Sequence, residues 1–451
     1  MPAIELAAQP IKALTELALN ALRQRGGVAS GAELQADLRV SQPTVSRALA
    51  PLLHTGRVRK VGAARSQRYL VPRAVPGVGV QVPIVRIDAQ GQPQAFGQLT
   101  PLPSGAVWVD EVYGPRATGQ RHGGLPWFLN DMRPQGFMGR TFAAAHPDLK
   151  LGINPAKGTD DEVLRAMALY GDDLPGNLVV GEAAFERFHT LAQRAPDVAS
   201  SEDYPLLADR AMRGTLPGSS AGGEQPKFCT RVAGRHVIVK FSPAGDAPAD
   251  QRMRDLLVCE HLALQTLALA GIPAAITRIE LAAGRVFLES ERFDRTALGR
   301  VGMVSLSIYD AEYVGQEDNW AATANRMQAR GLLSPCDAGH LRLLEAYGVL
   351  IANTDRHYGN ISLLLEGDDW VLSPTYDMLP MLYAPVAGEI VPRDVAACPL
   401  QPTAATLGDW PRAKTLAVAF WAAAAAAAAV ADARISSTFQ RIAMQNFNQI
   451  S

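Results

Sequence analysis

Two short polar segments constrain the fold of this chain more than any other feature. In Ala352-Asn353-Thr354-Asp355-Arg356-His357-Tyr358-Gly359-Asn360, an Asp and an Asn stand five residues apart, and Tyr376-Asp377 follows, with Asp377 22 residues beyond Asp355. Between them lie an apolar run at 361–365, a turn at Gly367-Asp368-Asp369, and a second apolar run, Trp370-Val371-Leu372. That pattern predicts a β-hairpin that brings Asn360 and Asp377 to one sheet edge. A hard dication takes oxygen ligands, so Asn360 and Asp377 are candidate magnesium ligands. Asp355 is placed to orient a substrate hydroxyl and accept its proton. The set suits phosphoryl transfer. An ordinary surface turn rich in Asp and Asn has the same composition, so these segments do not decide the matter alone.

Upstream, Gly218-Ser219-Ser220-Ala221-Gly222-Gly223-Glu224-Gln225-Pro226-Lys227-Phe228 is a small-residue loop. Its backbone N–H groups can approach a phosphate closely, with Ser220, Ala221, Gly222 and Gly223 as candidate contacts. No Gly-Lys-Ser/Thr follows, so it is not a Walker A loop. Next comes His236-Val237-Ile238-Val239-Lys240-Phe241, a strand pattern interrupted by Lys240. Lys240 reads as a phosphate contact or as a solvated edge-strand lysine. Twenty residues on, Glu260 lies in a helical pattern. It is either the ion-pair partner of Lys240 or a residue of a wet helix face.

The ordered set Ser219 to Lys227, Val239-Lys240, Glu291-Arg292-Phe293-Asp294-Arg295, Asn353 to Asn360 and Tyr376-Asp377 resembles HipA-type serine/threonine kinases, the toxins of bacterial toxin–antitoxin pairs. The likeness runs from about residue 80 to the C-terminus and is nearest to YjjJ-like members with their own N-terminal DNA-binding segment. It implies Asp355 as catalytic base, Asn360 and Asp377 as magnesium ligands, and Lys240 on the ATP phosphates. It also implies a hinge at Glu291 and Phe293 that meets adenine. Ser219 and Ser220 fall where family members autophosphorylate and thereby expel the loop. Glu224 departs from the pattern as an extra residue before Gln225, so the choice between Ser219 and Ser220 stays open. The implied partners are ATP, magnesium and a protein substrate such as an aminoacyl-tRNA synthetase.

Residues 1–75 hold eleven Lys/Arg against four Asp/Glu, a net +7, whereas the whole chain carries −1. A basic module on an acidic body points to a polyanion partner for that module only. Residues 11–22 read as one helix. Ser30 with Glu33 forms a capping box for a second, and Ser41-Gln42-Pro43-Thr44 opens a third after a short turn. Residues 56–71 alternate as a hairpin. Together these predict a winged helix-turn-helix that binds double-stranded DNA. Gln42, Thr44, Ser46, Arg47, Arg59, Lys60 and Arg65 are the candidate contacts; a small protein-interaction domain is the alternative.

Residues 72–79, rich in Pro and Gly, read as a linker. The expected organisation is a winged helix-turn-helix at 1–75, a β-rich subdomain at 76–204, a nucleotide-binding lobe at 205–298 and a mainly helical lobe at 299–451. The fold class is α+β, with a protein-kinase-like two-lobed body. Four cysteines without CxxC spacing fit a reducing compartment. The N-terminus carries Glu5 early and lacks a long apolar core, and the alanine-rich stretch at 416–431 is short for a bilayer, so no membrane association is expected. The expected location is cytoplasmic, with the nucleoid when DNA-bound. Two other readings compete: a transcriptional regulator with a ligand-binding kinase-like body, and a metal-dependent enzyme acting directly on nucleic acid.

Overall fold

A computed structural model describes residues 3–63, 66–111, 119–194, 200–213, 225–426 and 435–451. The first elements are α1 (Ala3–Gln24), β1 (Val28–Ala29), α2 (Gly31–Leu38), α3 (Gln42–His54), β2 (Arg59–Val61) and β3 (Arg68–Leu70). This is the element order expected of a winged helix-turn-helix. The Ser30–Glu33 capping box forms, with Ser30 accepting from the Glu33 N–H and Glu33 accepting from the Ser30 N–H. Arg39 closes α2 in the left-handed region. Ser41 makes no side-chain bond to the backbone of α3 and meets the Thr44 hydroxyl instead, at 3.0 Å. Leu19, Leu22, Leu34, Leu49 and Leu52 fill the core between the helices.

The hairpin of this module does not stand free. Val61 and Leu70 share an apolar cluster with Leu102, Ala106 and Trp108 of the next sheet. That sheet has the order β7-β6-β5-β4-β8, from β4 (Val82–Ile87), β5 (Pro93–Pro101), β6 (Val107–Glu111), β7 (Gly119–His122) and β8 (Leu178–Val180). The helices α4 (Gly136–Ala145), α5 (Asp160–Tyr170) and α6 (Glu182–Arg194) accompany it. The expected linker at 72–79 is instead built into this layer. Arg73 donates to both oxygens of Asp161, at 2.6 and 2.7 Å, and to the Leu102 carbonyl, while Val75 is buried. Its Pro/Gly composition reflects tight turns rather than a tether.

The rest of the chain forms the body. After α7 (Tyr204–Met212) come β9 (Lys227–Val232), β10 (Arg235–Phe241), α8 (Pro248–Leu269), β11 (Thr277–Ala282) and β12 (Arg285–Glu291). Their antiparallel sheet has the order β11-β12-β10-β9. Then follow β13 (Met303–Ser305), α9 (Leu306–Tyr313), α10 (Trp320–Ala329), α11 (Pro335–Leu350), β14 (Ser362–Glu366), β15 (Asp369–Leu372), α12 (Trp410–Ala425) and α13 (Ser437–Ile450). The hairpin read from sequence is present as β14–β15, turning at Gly367, whose φ of +63° suits glycine. The largest apolar core joins α8 to α10, α11, α12 and α13. Most of its members are aliphatic or aromatic residues at helical spacing, which explains why α8 packs with the helices after residue 299 as well as on its own sheet. Among the described residues, no helix is long and apolar enough to cross a membrane.

Candidate active site

Lys240 is the sixth residue of β10, opposite Lys227 on β9 and Leu288 on β12. Both lysines are buried, at 8% and 4% exposure. Burying ammonium groups is costly unless they meet opposite charge. Lys240 Nζ donates to Glu260 Oε1 at 2.6 Å from the inner face of α8, and to Asp377 Oδ1 from the far side of the cleft. Burial acts against the charged lysine, but Asp377 and Glu260 outweigh it and raise its pKa. For Asp377, burial is likewise outweighed, by Lys240 and Lys227, and the carboxyl is held below its usual range. Burial dominates at Glu260 and pushes it up. Its Oε2 is buried without a hydrogen-bond partner.

Asp377 sits on a strained backbone, with φ at +55°. The segment before it is tied to the chain after α8: Thr375 O accepts from Ala275 N, and Thr375 N donates to Pro273 O, both at 2.9 Å. Asn353, fully buried, donates to the Asp377 carbonyl at 3.4 Å. It also accepts from the Asp355 N–H at 3.0 Å, so one amide links the two loops. Arg356 bonds Glu345 of α11 at 3.0 Å, and Trp320 Nε1 donates to the His357 carbonyl at 3.2 Å. The Asp355 loop is thereby pinned to α10 and α11.

A cleft of about 530 Å³ runs between the sheet and these loops, lined by Lys227, Lys240, Glu291, Phe293, Asn360 and Asp377 among others. Phe293 and Tyr376 form an aromatic corner, ring centroids 5.6 Å apart. The structure thus brings together five expected residues: Lys240, Glu291, Phe293, Asn360 and Asp377. Asp355 is exposed and is not part of the cleft lining. It reaches the site through Asn360, whose Nδ2 donates to the Asp355 carbonyl at 2.8 Å and lies 3.5 Å from Oδ2. Ser219, Ser220, Ala221, Gly222 and Gly223 lie outside the described residues. Among the described residues no cluster of three or more His, Cys, Asp or Glu is preformed for a metal. The hard oxygen donors of Asn360 and Asp377, on one cleft beside two lysines, suit a metal–polyphosphate.

Several lining residues were not given roles from the sequence: Lys227, Asp131 and Tyr376. Asp131 accepts from the Ser305 N–H at 2.5 Å and the Ser305 hydroxyl at 2.7 Å. Burial pushes its pKa up despite both bonds. It comes from the first sheet domain, 174 residues earlier, and no local pattern signals that pairing.

On the N-terminal module, Gln42, Ser46, Arg47 and Lys60 are exposed and Thr44 is half-buried. Arg65 lies outside the described residues. Arg59 departs from expectation: its guanidinium donates to the buried Thr100 of β5 at 2.7 Å. It faces the neighbouring sheet because its side of β2 is the docking side.

Residues 78–189 match the YjjJ-like toxin middle domain, and residues 219–448 match the HipA-like C-terminal domain. The chain is 34% identical over 430 residues to Toxin YjjJ of Escherichia coli (strain K12), covering 93% of this chain and 94% of the relative. It therefore belongs to the HipA-like toxin family, with the YjjJ type of middle domain. A chain of the Shewanella oneidensis MR-1 toxin–antitoxin complex of HipA, HipB and operator DNA aligns with a TM-score of 0.52 and 14% identity. The alignment covers 81% of this chain and 95% of that one, and it shows a shared HipA-like fold.

Proposed function

We propose that this protein is an ATP- and magnesium-dependent serine/threonine protein kinase that carries its own DNA-binding module. The observation that carries this reading is Lys240, held between Glu260 and Asp377 in a cleft that also presents Asn360. Magnesium-bound ATP, when held there, supplies the phosphoryl group and neutralises charge that develops during transfer. Lys240 and Lys227 hold the phosphates. Asn360 and Asp377 offer oxygen to the metal, and the hinge backbone at Glu291 and Phe293 meets the adenine. Asp355, left exposed at the edge of the site, orients the acceptor hydroxyl and takes its proton. Positioning and charge neutralisation then account for most of the rate.

The acceptor is a protein hydroxyl, with an aminoacyl-tRNA synthetase as the substrate class and Ser219 or Ser220 as the site of self-modification. A phosphate there adds roughly two negative charges beside the nucleotide phosphates and disfavours binding. Duplex DNA is bound through α3, using Gln42, Thr44, Ser46 and Arg47, with Lys60 nearby. Arg59 is omitted because it is engaged by Thr100. The solved relative from Shewanella, described with operator DNA, is consistent with a DNA-linked life for this family. Such a protein works in the cytoplasm and at the nucleoid. The divisions at about residues 75 and 204 are retained as functional ones, supported by the separate cores of the N-terminal module, the middle sheet and the body. The one at about 298 divides the nucleotide-binding and catalytic parts of a body that shares one apolar core. Incubation with labelled ATP and magnesium, with site mapping on the protein itself, tests the reading.

A further inference from the structure

We propose that Asp173, in the segment between α5 and β8, is a positioning residue for the nucleotide hinge, acting from outside the kinase-like body; this rests on the nucleotide-cleft reading above. The hinge strand β12 ends at Glu291, and Arg292, Phe293 and Asp294 follow along the cleft wall, with Pro175 of the middle domain lining the same cleft. Arg292 Nη1 donates to both Asp173 oxygens at 3.1 Å, and its Nε and Nη2 donate to Asp294 at 3.0 Å. Arg295 reaches Asp173 at 2.8 Å, the Leu174 carbonyl at 2.7 Å and the Gly176 carbonyl at 2.9 Å. Asp294 in turn accepts from the Gly176 N–H at 3.0 Å. The side chains of Arg292, Arg295 and Asp294 are 2–5% exposed, while Asp173, which meets them from the middle domain, is 38% exposed.

The charge balance of this cluster is tight. Arg292, Arg295 and Arg300 face Asp173 and Asp294. Burial, followed by Arg295, depresses the pKa of Arg300 to about 9, as expected where positive charge is in excess. Removing the Asp173 charge leaves three buried guanidinium groups facing Asp294, with Asp172 beside Arg300. Arg292 and Arg295 then separate, and the chain between them is the hinge whose backbone meets adenine. Small misplacements of such a contact weaken binding strongly. From the body side the hinge is held through its backbone, Glu291 N donating to the Ile276 carbonyl and Arg292 N to the His236 carbonyl, both at 2.9 Å, while the Glu291 side chain pairs outward with Arg235 at 2.8 Å. The buried charges on the Arg292 and Arg295 side chains are met from the middle domain by Asp173.

The test is calorimetric titration of the full chain with MgADP, reading both affinity and the fraction of competent sites. Asp173→Asn is expected to weaken binding roughly tenfold with stoichiometry unchanged. A merely structural loss lowers stoichiometry and leaves the affinity of the remaining sites alone. Asp161→Asn, which breaks the Arg73 ion pair of the same domain and bonds neither Arg292 nor Arg295, is expected to keep wild-type affinity. Should Asp173→Asn not fold, Asp173→Glu, which keeps the charge and shifts it by one methylene, decides the matter with a several-fold loss. Wild-type affinity in the Asp173 variant that folds overturns this inference alone. A wild-type protein that binds no MgADP overturns it together with the kinase reading.

Discussion

Lys240 Nζ lies 2.6 Å from Glu260 Oε1, and both side chains are under 10% exposed. The pair ties β10 to α8 across the sheet face. Lys240 also bonds Asp377, so one ammonium group links the sheet, the helix and the loop after the β14–β15 hairpin. Lys240→Met leaves two carboxylates facing each other in a buried site. Breaking a buried pair by removing one partner costs about 3–5 kcal/mol. Urea denaturation should show a loss of that order, and nucleotide binding should fall with it. A stability change under 1 kcal/mol would mean that water reaches the pair freely.

Asp377→Asn removes a charged oxygen donor and one partner of Lys240. It should weaken MgATP binding by at least tenfold, with a steeper dependence on magnesium concentration. Titration at several magnesium levels checks this. An unchanged magnesium dependence removes Asp377 from the metal site.

DNA binding is best measured on the full chain, because cutting at residue 75 exposes Val61 and Leu70, which pack on Leu102 and Trp108. Affinity for duplex DNA should fall as salt rises, through counterion release. Arg47→Ala should weaken binding and lower the salt slope by about one if it meets a phosphate. Arg59→Ala should leave the slope unchanged, since its guanidinium is spent on Thr100. Salt-independent binding, or none at low salt, would return the module to a protein-interaction role.

His236 gives a pH signature. Burial, chiefly, holds its pKa at about 4, below the ordinary 6.5. The unfolded chain therefore takes up this proton first as pH falls. The contribution to stability is complete above about 6.5 and is lost progressively between 6.5 and 4. Denaturation midpoints across that window should fall less steeply for His236→Gln than for the wild type. Parallel curves would show that His236 is not the titrating group.

Much of the site was legible in the sequence because its parts are local. The spacing of Asp355, Asn360 and the hairpin before Asp377 is fixed by short-range geometry, and the Ser30–Glu33 box is a four-residue rule. The Lys240–Glu260 pair was visible only as a possibility, because nothing local says which face of α8 Glu260 occupies. The contacts that escaped are those between distant segments: Asp131 with Ser305, Asp173 with Arg292, and Arg59 with Thr100. Arg59 shows why. Alternation along β2 tells which side it occupies, but not that this side docks on another domain. The same holds for residues 72–79, where Pro and Gly serve a packed crossing as readily as a free linker.

The most direct test is self-labelling of the full-length protein with labelled ATP and magnesium, run beside Asp355→Asn. The wild type should incorporate phosphate on Ser219 or Ser220. Asp355→Asn should incorporate almost none while binding ATP with nearly wild-type affinity, since the base acts on the acceptor and not on the nucleotide. Labelling of Asp355→Asn at the wild-type rate would contradict the assignment of the catalytic base and, with it, the kinase mechanism set out for this cleft.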